Sequence, residues 1–551
     1  MHNSVSIHDY FPLKWEPRPA QVDVLTFIER MVVDGVTDIV IEAPTGIGKS
    51  AIGSACCYWA ADWPPQILPY GGAAQAGGYY LVTQKQLQTQ IADEVLGTKT
   101  DPSVYTVRDF SSLWSSSDYT CDRFKKCQVG LRTKVALCSG RKHNCCPYLL
   151  ERAKFGSSIF SLTNYPYFLT EREYVGKLSK RNILVLDECH TIERQLLKFG
   201  EVETSDKLLN DWGLRGISVP ELDTMQQFAH WLDRIYLPKI KSQLEAYSDA
   251  AKFAGDDDDT VAKRITALDN QVRKVEACVR GVAAVPENWV YWCEQNELDG
   301  NIAYCKPLDA SPYMSVLMSG AVVRVYMSAY PGEKEVFCRS IGLNPDEVAW
   351  KRLKSGFPKE NRPVIMGLVG SMSRKCQSDT LPHLFRVVDK IVAKHHDEKG
   401  IIHCHSYDLG KKIMKHLSVT NPGRTVLFPQ KSDERQEKYD QHRDPSRGPT
   451  VLLSPSMTEG FDFKYESARW QIIAKVPYPY LGDRQVAAKK DKSQEWYDQQ
   501  TIMTIVQASG RVCRSEDDWG VTYVLDADFR QLWDRRRSMF PGWFKEALVW
   551  P

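Results

Sequence analysis

Two short segments far apart in the chain constrain it most. Glu42-Ala43-Pro44-Thr45-Gly46-Ile47-Gly48-Lys49-Ser50 follows the apolar run Asp38-Ile39-Val40-Ile41, and Asp187-Glu188-Cys189-His190 closes the run Ile183-Leu184-Val185-Leu186. A loop between strand and helix with glycines before Lys-Ser suits phosphates, because glycines take the dihedrals that let backbone N–H groups converge on an anion. On this reading Lys49 reaches the outer phosphates and Ser50 ligates magnesium. The second strand delivers Asp187 to the metal and Glu188 to the attacking water, since phosphoryl transfer is mostly positioning and charge neutralisation. The strict pattern opens with Gly, and Ala43 stands there. Taken alone the first segment could be a Gly-rich turn before a helix; with the second it predicts a nucleoside triphosphate site.

At 551 residues the chain exceeds what one hydrophobic core supports, and three or four domains are expected. Hydrophobic residues at 43% and charged ones at 25% are ordinary for a folded protein, and a net charge of +2 leaves any basic surface to be local. No apolar stretch follows Met1 as in a secretion signal, and nowhere do about 18 apolar residues run together. The expectation is an intracellular, cytoplasmic protein with no membrane partner. In that setting 15 cysteines read as core thiols or metal ligands rather than disulfides.

Short β-branched runs alternate with helical stretches: 38–43, 78–83, 157–162, 183–188 and 322–329, then 400–406, 424–428, 450–454, 471–476 and 521–526. That alternation predicts two tandem parallel-sheet α/β domains, with a boundary near Ser355-Gly356-Phe357-Pro358. Two segments break the rhythm. Residues 106–156 show no convincing strand, and residues 205–284 read as helical. In the latter, Val261, Ile265, Leu268, Val272, Val275, Val279 and Val282 share one helix face, and Met225, Phe228, Leu232, Ile235 and Leu244 form a looser stripe. The acidic run 256–259 between them predicts a solvated turn in a helical hairpin whose stripes are packing surfaces.

Cys121, Cys127, Cys138, Cys145 and Cys146 crowd the strand-poor segment without paired C-x-x-C knuckles. Their irregular spacing leaves an iron–sulfur cluster, zinc or unliganded thiols open. Residues 121–152 carry a net +6 with Tyr119, Phe124 and Tyr148 interleaved or adjacent, as in single-strand binding, against the alternative of a solvated basic face.

The order of parts resembles the XPD/DinG family of iron–sulfur superfamily 2 DNA helicases over nearly the whole chain. Arg18-Pro19-Ala20-Gln21 looks like the family's adenine-contacting motif, with Gln21 reading the base. Tyr80-Leu81-Val82-Thr83 leading to Gln90 is similar to the motif that touches the nucleic-acid backbone. Cys146-Pro147-Tyr148 resembles the end of the cluster domain, Asn164-Tyr165 resembles the family's next conserved pair, and Ser328-Ala329 resembles motif III. Gly356-Phe357-Pro358 through Asn361-Arg362-Pro363 resembles the linker. His403-Cys404-His405-Ser406-Tyr407, Thr458-Glu459-Gly460-Phe461-Asp462, Val476-Pro477-Tyr478-Pro479 and Gln507-Ala508-Ser509-Gly510-Arg511-Val512-Cys513-Arg514 resemble the later motifs. Tyr330 stands where the family usually has Thr, and Cys189 where it has Ala.

The resemblance implies two RecA-like motor domains, the first interrupted by an iron–sulfur insert and a helical arch. The expected segments are 1–105, 157–204 and 285–354 for the first motor, 106–156 for the cluster, 205–284 for the arch and 355–551 for the second motor. It implies ATP and Mg2+ held by Arg18, Gln21, Thr45, Gly46, Gly48, Lys49, Ser50, Asp187, Gly460 and Asp462. Arg511 and Arg514 would be arginine fingers, three apart on one helix face, with Gln507 one turn earlier as a sensor. A [4Fe-4S] cluster would sit on Cys121, Cys127, Cys138 and Cys146, with Cys146 preferred over Cys145 for its Pro-Tyr context. The implied function is a monomeric 5′-to-3′ helicase on single-stranded and forked or tailed duplex DNA. The alternatives are a translocase that remodels protein–DNA or RNA–DNA complexes and a non-motor subunit gated by ATP. A nuclease function finds little support.

Overall fold

The structure, a computed structural model, describes residues 5–12, 15–64, 73–96, 109–121, 125–126, 146–176, 178–253, 259–431, 433–455 and 463–550. The Asp38–Glu42 strand is buried along its whole length, as a strand covered by helices on both faces must be. It sits in a seven-stranded parallel sheet ordered Val348–Arg352, Asp38–Glu42, Ala321–Ser328, Arg181–Asp187, Gln75–Val82, Phe160–Asn164, Phe110–Ser112. Pairing of Asp38–Glu42 with Arg324 to Ser328, and of Arg181–Asp187 with the same strand, brings the two motif-bearing strand ends to one edge of the sheet. In open α/β sheets ligands bind at that carboxyl edge. A buried ion pair, Arg324 Nε to Asp38 Oδ1 at 2.6 Å, fixes the opposite end.

A second seven-stranded parallel sheet is ordered Thr425–Leu427, Thr450–Ser454, Gly400–His403, Trp470–Ile473, Val521–Asp526, Val364–Gly370, Leu548–Val549. Each of the ten apolar runs picked out in the sequence contains or overlaps one of these strands. The fold is therefore two parallel-sheet α/β lobes of RecA-like type.

Departures from expectation are local. Residues 106–156 do hold a strand, Phe110–Ser112, which pairs with Phe160 to Leu162. Its Ser-Ser looks like a loop, but Phe110 is buried edge-on against Phe160 with ring centroids 5.0 Å apart. The helical insertion is also larger than 205–284. Strands Val202–Ser205, Trp289–Asn296 and Gly300–Pro307 form an antiparallel sheet, and Val202, Ala303 and Cys305 share a core with Leu268, Val272, Val275 and Val282 of the Asp259–Ala284 helix. That helix packs against Leu237–Phe253, as a hairpin requires. The acidic turn apart from Asp259, and the Val261 side chain, lie outside the described residues.

Ile235 does not join the stripe. It is 43% exposed while Tyr236 is fully buried. Pro238 supplies no N–H and its ring excludes the carbonyl four residues back, so Leu232–Tyr236 forms a π turn closed by Leu237 N–H to Leu232 O. One extra residue in the turn moves Tyr236 into the position Ile235 would hold. No helix among the described residues is long and apolar enough to cross a membrane.

Candidate nucleotide site between the lobes

The loop after Asp38–Glu42 bends through Gly46 (φ 83°) and Gly48 (φ 85°), both in the left-handed region that suits glycine. A Cβ on Gly46 would lie 2.1 Å from Phe357 Cζ, so the second requirement there is space. Ala43, by contrast, continues the sheet pairing by donating N–H to Ser328 O at 2.8 Å, and its φ is not positive. Its methyl group costs nothing, which explains why the usual Gly is dispensable. Gly48 is the N-cap of the Lys49–Trp59 helix, whose buried length leaves only its first turn facing outward. Unpaired N–H groups and the helix dipole make that end a natural anion site.

Arg18 donates from Nη1 to Gly46 O at 2.6 Å, and its N–H donates to Gln21 Oε1 at 2.8 Å, so the segment ahead of the first helix lies against the loop. Lys49 Nζ is 3.9 Å from Glu188 Oε1. Asp187 is buried, accepting from Tyr80 Oη at 3.0 Å and from Glu188 N–H at 2.9 Å. Burial, and next the Glu188 charge, push its carboxyl up to about 6 against the pull of Lys49. For Glu188 burial also acts upward, but Lys49, then His190 and Arg511, win and hold it well below the usual carboxylate range. The two acids are thus electrostatically distinct. His190 Nδ1 lies 3.3 Å from Glu188 Oε2 and 2.9 Å from Ser328 Oγ, linking the acid box to motif III.

The second lobe closes the site. A cleft of about 670 Å³ is lined by Arg18, Gln21, Thr45, Gly46, Gly48, Lys49, Ser50, Asp187 and Glu188 from one side, and by Gln507, Arg511 and Arg514 from the other. The helix-face expectation for the two arginines is corrected. The Gln494–Ser509 helix stops at Gly510, and Arg511 and Arg514 lie beyond it. Ser-Gly is a poor helix continuation, and Asp518 captures the Arg514 N–H at 3.1 Å and the Tyr465 N–H at 3.3 Å. Gln507, on the last helical turn, has its Nε2 buried without a hydrogen-bond partner among the described residues.

Gly460 and Asp462 lie outside the described residues, as do Cys127, Cys138, Cys145 and Phe124; the Cys121 side chain does too. The Cys121 backbone pairs antiparallel with that of Lys125. Cys146 is half-buried at the N-cap of the Pro147–Ser157 helix. Among the described residues no group of three or more His, Cys, Asp or Glu is arranged to hold a metal. The stacking footprint shrinks: Tyr148 is 4% exposed, its hydroxyl 2.9 Å from that of Tyr167, because the first turn of its helix packs into the first lobe. Arg152 is paired with Glu171 at 2.6 Å. Neither is presented to a nucleic acid.

Sequence reasoning missed Trp543, which also lines the cleft, and whose Nε1 is buried without a partner among the described residues. Its chain segment carries no motif, and nothing local signals it.

Two parallel-sheet lobes, with a phosphate loop on one and arginines of the other across a shared cleft, form a two-lobed nucleotide site. Residues 390–547 match the family model described as "Helicase C-terminal domain". The chain is 27% identical over 146 residues to "Regulator of telomere elongation helicase 1 homolog" of Caenorhabditis elegans, covering 23% of this chain and 14% of that protein. It is 22% identical over 293 residues to a "Probable ATP-dependent helicase" of Methanocaldococcus jannaschii, covering 49% and 43%. It thus spans less than half the length of these curated relatives. An "XPD_Helicase" structure superposes with TM-score 0.61 at 14% identity, covering 97% of this chain and all of that one. "Xpd4" of S. tokodaii superposes with TM-score 0.58 at 12% identity over the same shares. Residues 390–547 thus carry the helicase C-terminal family match, and the chain as a whole has the fold of the solved XPD helicases.

Proposed function

We propose that this chain is an ATP-dependent DNA helicase that moves 5′ to 3′ along a single strand and parts duplex ahead of it. The observation that carries the reading is the shared cleft, where Lys49, Asp187 and Glu188 of one lobe face Gln507, Arg511 and Arg514 of the other. A hydrolytic acid held ionised beside a phosphate-binding lysine suits activation of water, and arginines from a second lobe suit neutralisation of charge on the transferring group. Ser50 and Asp187 would hold magnesium, which would supply charge neutralisation to the phosphates; a buried carboxylate beside Lys49 fits that role. Lobe closure and reopening around ATP would then step the protein along its strand. Polarity and a monomeric working state rest on the family resemblance.

A [4Fe-4S] cluster on Cys121, Cys127, Cys138 and Cys146 belongs to the same proposal, supported by the order of motifs. Cys146, beside the helix that anchors the insert to the first lobe, is the expected ligand with a described side chain. The test is anaerobic purification with iron analysis, DNA-stimulated ATP hydrolysis, and unwinding of two oppositely tailed duplexes. Lys49→Ala should lower turnover by about 100-fold or more, the scale on which lost phosphate stabilisation acts, while single-strand binding persists. Retained turnover in that variant would sink the site. Hydrolysis without strand separation would favour the remodelling translocase, and binding without hydrolysis the gated subunit.

A further inference from the structure

Glu193 sits in the first turn of the Ile192–Gly200 helix, directly downstream of Asp187 and Glu188, and is 7% exposed. Its donors come from the other lobe. Lys489 pairs with Oε1, Trp496 Nε1 donates to Oε2 at 2.7 Å, and Gln500 Nε2 approaches Oε2 at 3.4 Å. Lys489 is itself 9% exposed, donates to Leu308 O of the inserted unit at 3.2 Å, and lies 4.6 Å over the Trp496 ring.

The geometry matters because of what the partner helix carries. Trp496, Gln500 and Gln507 are spaced by four and seven positions on the Gln494–Ser509 helix, so they share one face. The near end of that face is bound to Glu193, and the far end lines the nucleotide cleft immediately before Arg511 and Arg514. A second contact on the same helix, Glu333 N–H to Gln499 Oε1 at 2.7 Å, prevents pivoting about Glu193 alone. An ion pair buried in a seam contributes little net stability against an apolar replacement, but removal of one member strands the other's charge. Its strength is in fixing geometry.

We propose that Glu193 is a positioning residue for hydrolysis: through Lys489, Trp496 and Gln500 it sets where Gln507 and the two arginines stand over the phosphates. This rests on the ATPase reading above. Glu193 does not line the nucleotide cleft, so its loss is expected to act on kcat rather than on binding.

The test is a kinetic cycle. Glu193→Ala and Lys489→Met are each expected to lower kcat of single-strand-stimulated hydrolysis between about 10- and 100-fold, the cost of slightly misplaced reacting groups, with KM for ATP little changed. The double variant should be no slower than the worse single one, because the two act as a unit. Trp496→Phe removes one donor without stranding a charge and should show a smaller fall in kcat, covering the case in which a charge-stranding variant fails to fold. Wild-type kcat in Glu193→Ala, losses that multiply, or a rise in KM alone would overturn the proposal. Should the wild type itself not hydrolyse ATP, the motor reading fails, and hydrogen exchange then decides this inference. Glu193→Ala must speed exchange in residues 494–509 while the strands of the second sheet keep their protection; unchanged exchange refutes it.

Discussion

Glu188 takes φ 49°, one of three non-glycine residues with positive φ among those described. Such a backbone is strained and persists only where neighbours over-determine it. Here the Asp187 carboxylate holds its N–H, and Thr191 N–H and Oγ1 hold its carbonyl at 3.0 and 2.9 Å. The acid pair was legible in the sequence because chemistry names the residue types; the strain that turns Glu188 toward Lys49 was not, because it depends on hydroxyls and amides the pattern does not encode. Glu42, just before the loop, is a second case. It is 2% exposed, and burial pushes its carboxyl from 4.5 up to about 7, although Arg352 stands 3.0 Å away. Between those values the folded state keeps a proton that the unfolded state has lost. Stability from this group therefore falls as pH rises through the window, and the cost is complete above about pH 7. Glu42→Gln should be more stable than wild type at pH 8, by roughly 2 to 3 kcal/mol at most, and indistinguishable near pH 4. Arg352 keeps Glu333 at 3.1 Å in that variant. Urea unfolding at the two pH values reads the difference, and a variant weaker at pH 8 would mean that the Arg352 pair outweighs desolvation.

Long apolar strands such as Arg181–Asp187, buried at every position, announced themselves, whereas the antiparallel strands and three of the four edge strands of the two large sheets did not. Val348–Arg352 and Trp289–Asn296 are half-exposed and mix charge with aromatics, so no simple period marks them. Val364–Gly370 directly continues the expected linker, where Pro and Gly obscure a strand, yet it pairs with Val521–Asp526 inside the second sheet. The π turn at Leu232–Tyr236 shows the complementary failure, in which a correct helix is given the wrong face. A regular helix would bury Ile235; the observed turn exposes it and buries Tyr236 instead, while Leu232 of the expected stripe stays buried. Leu232→Ala should therefore cost about 2 to 5 kcal/mol, as for other buried leucines. Ile235→Lys should stay within about 0.5 kcal/mol of wild type, as at other exposed positions. Thermal or urea unfolding of the two variants separates the readings. Equal losses would restore the regular helix and its predicted stripe.

What joins the lobes could not be read from the sequence, since the partners lie far apart in the chain and none belongs to a local pattern. Lys306 of the inserted sheet reaches Asp483 at 3.4 Å, and Gln485 donates to Pro307 O at 2.6 Å, so the Arg484–Lys492 helix ties the insertion to the second lobe. Tyr330 makes the deepest crossing. It stands where the family pattern has Thr, and it comes shortly after Ser328, which holds His190. Yet it is fully buried among Ile473, Val476, Ile502 and Val524 of the second lobe, its hydroxyl donating to Met539 O. The departure from the pattern thus places an aromatic side chain of one lobe in the core of the other, which couples their stabilities. Two lobes that share a core should unfold together; lobes that merely touch should not. Wild-type protein is therefore expected to melt in one calorimetric transition, and Tyr330→Ala in two. The second lobe should melt first in the variant, because the cavity lies in its core and such truncations cost about 3 to 5 kcal/mol. Tyr330→Phe keeps the packing and loses only the bond to Met539, so it should lower the melting temperature while retaining a single transition. If wild type already melts in two steps, the aromatic crossing does not unite the lobes; if Tyr330→Ala still melts in one, their coupling rests on the polar seam around Glu193.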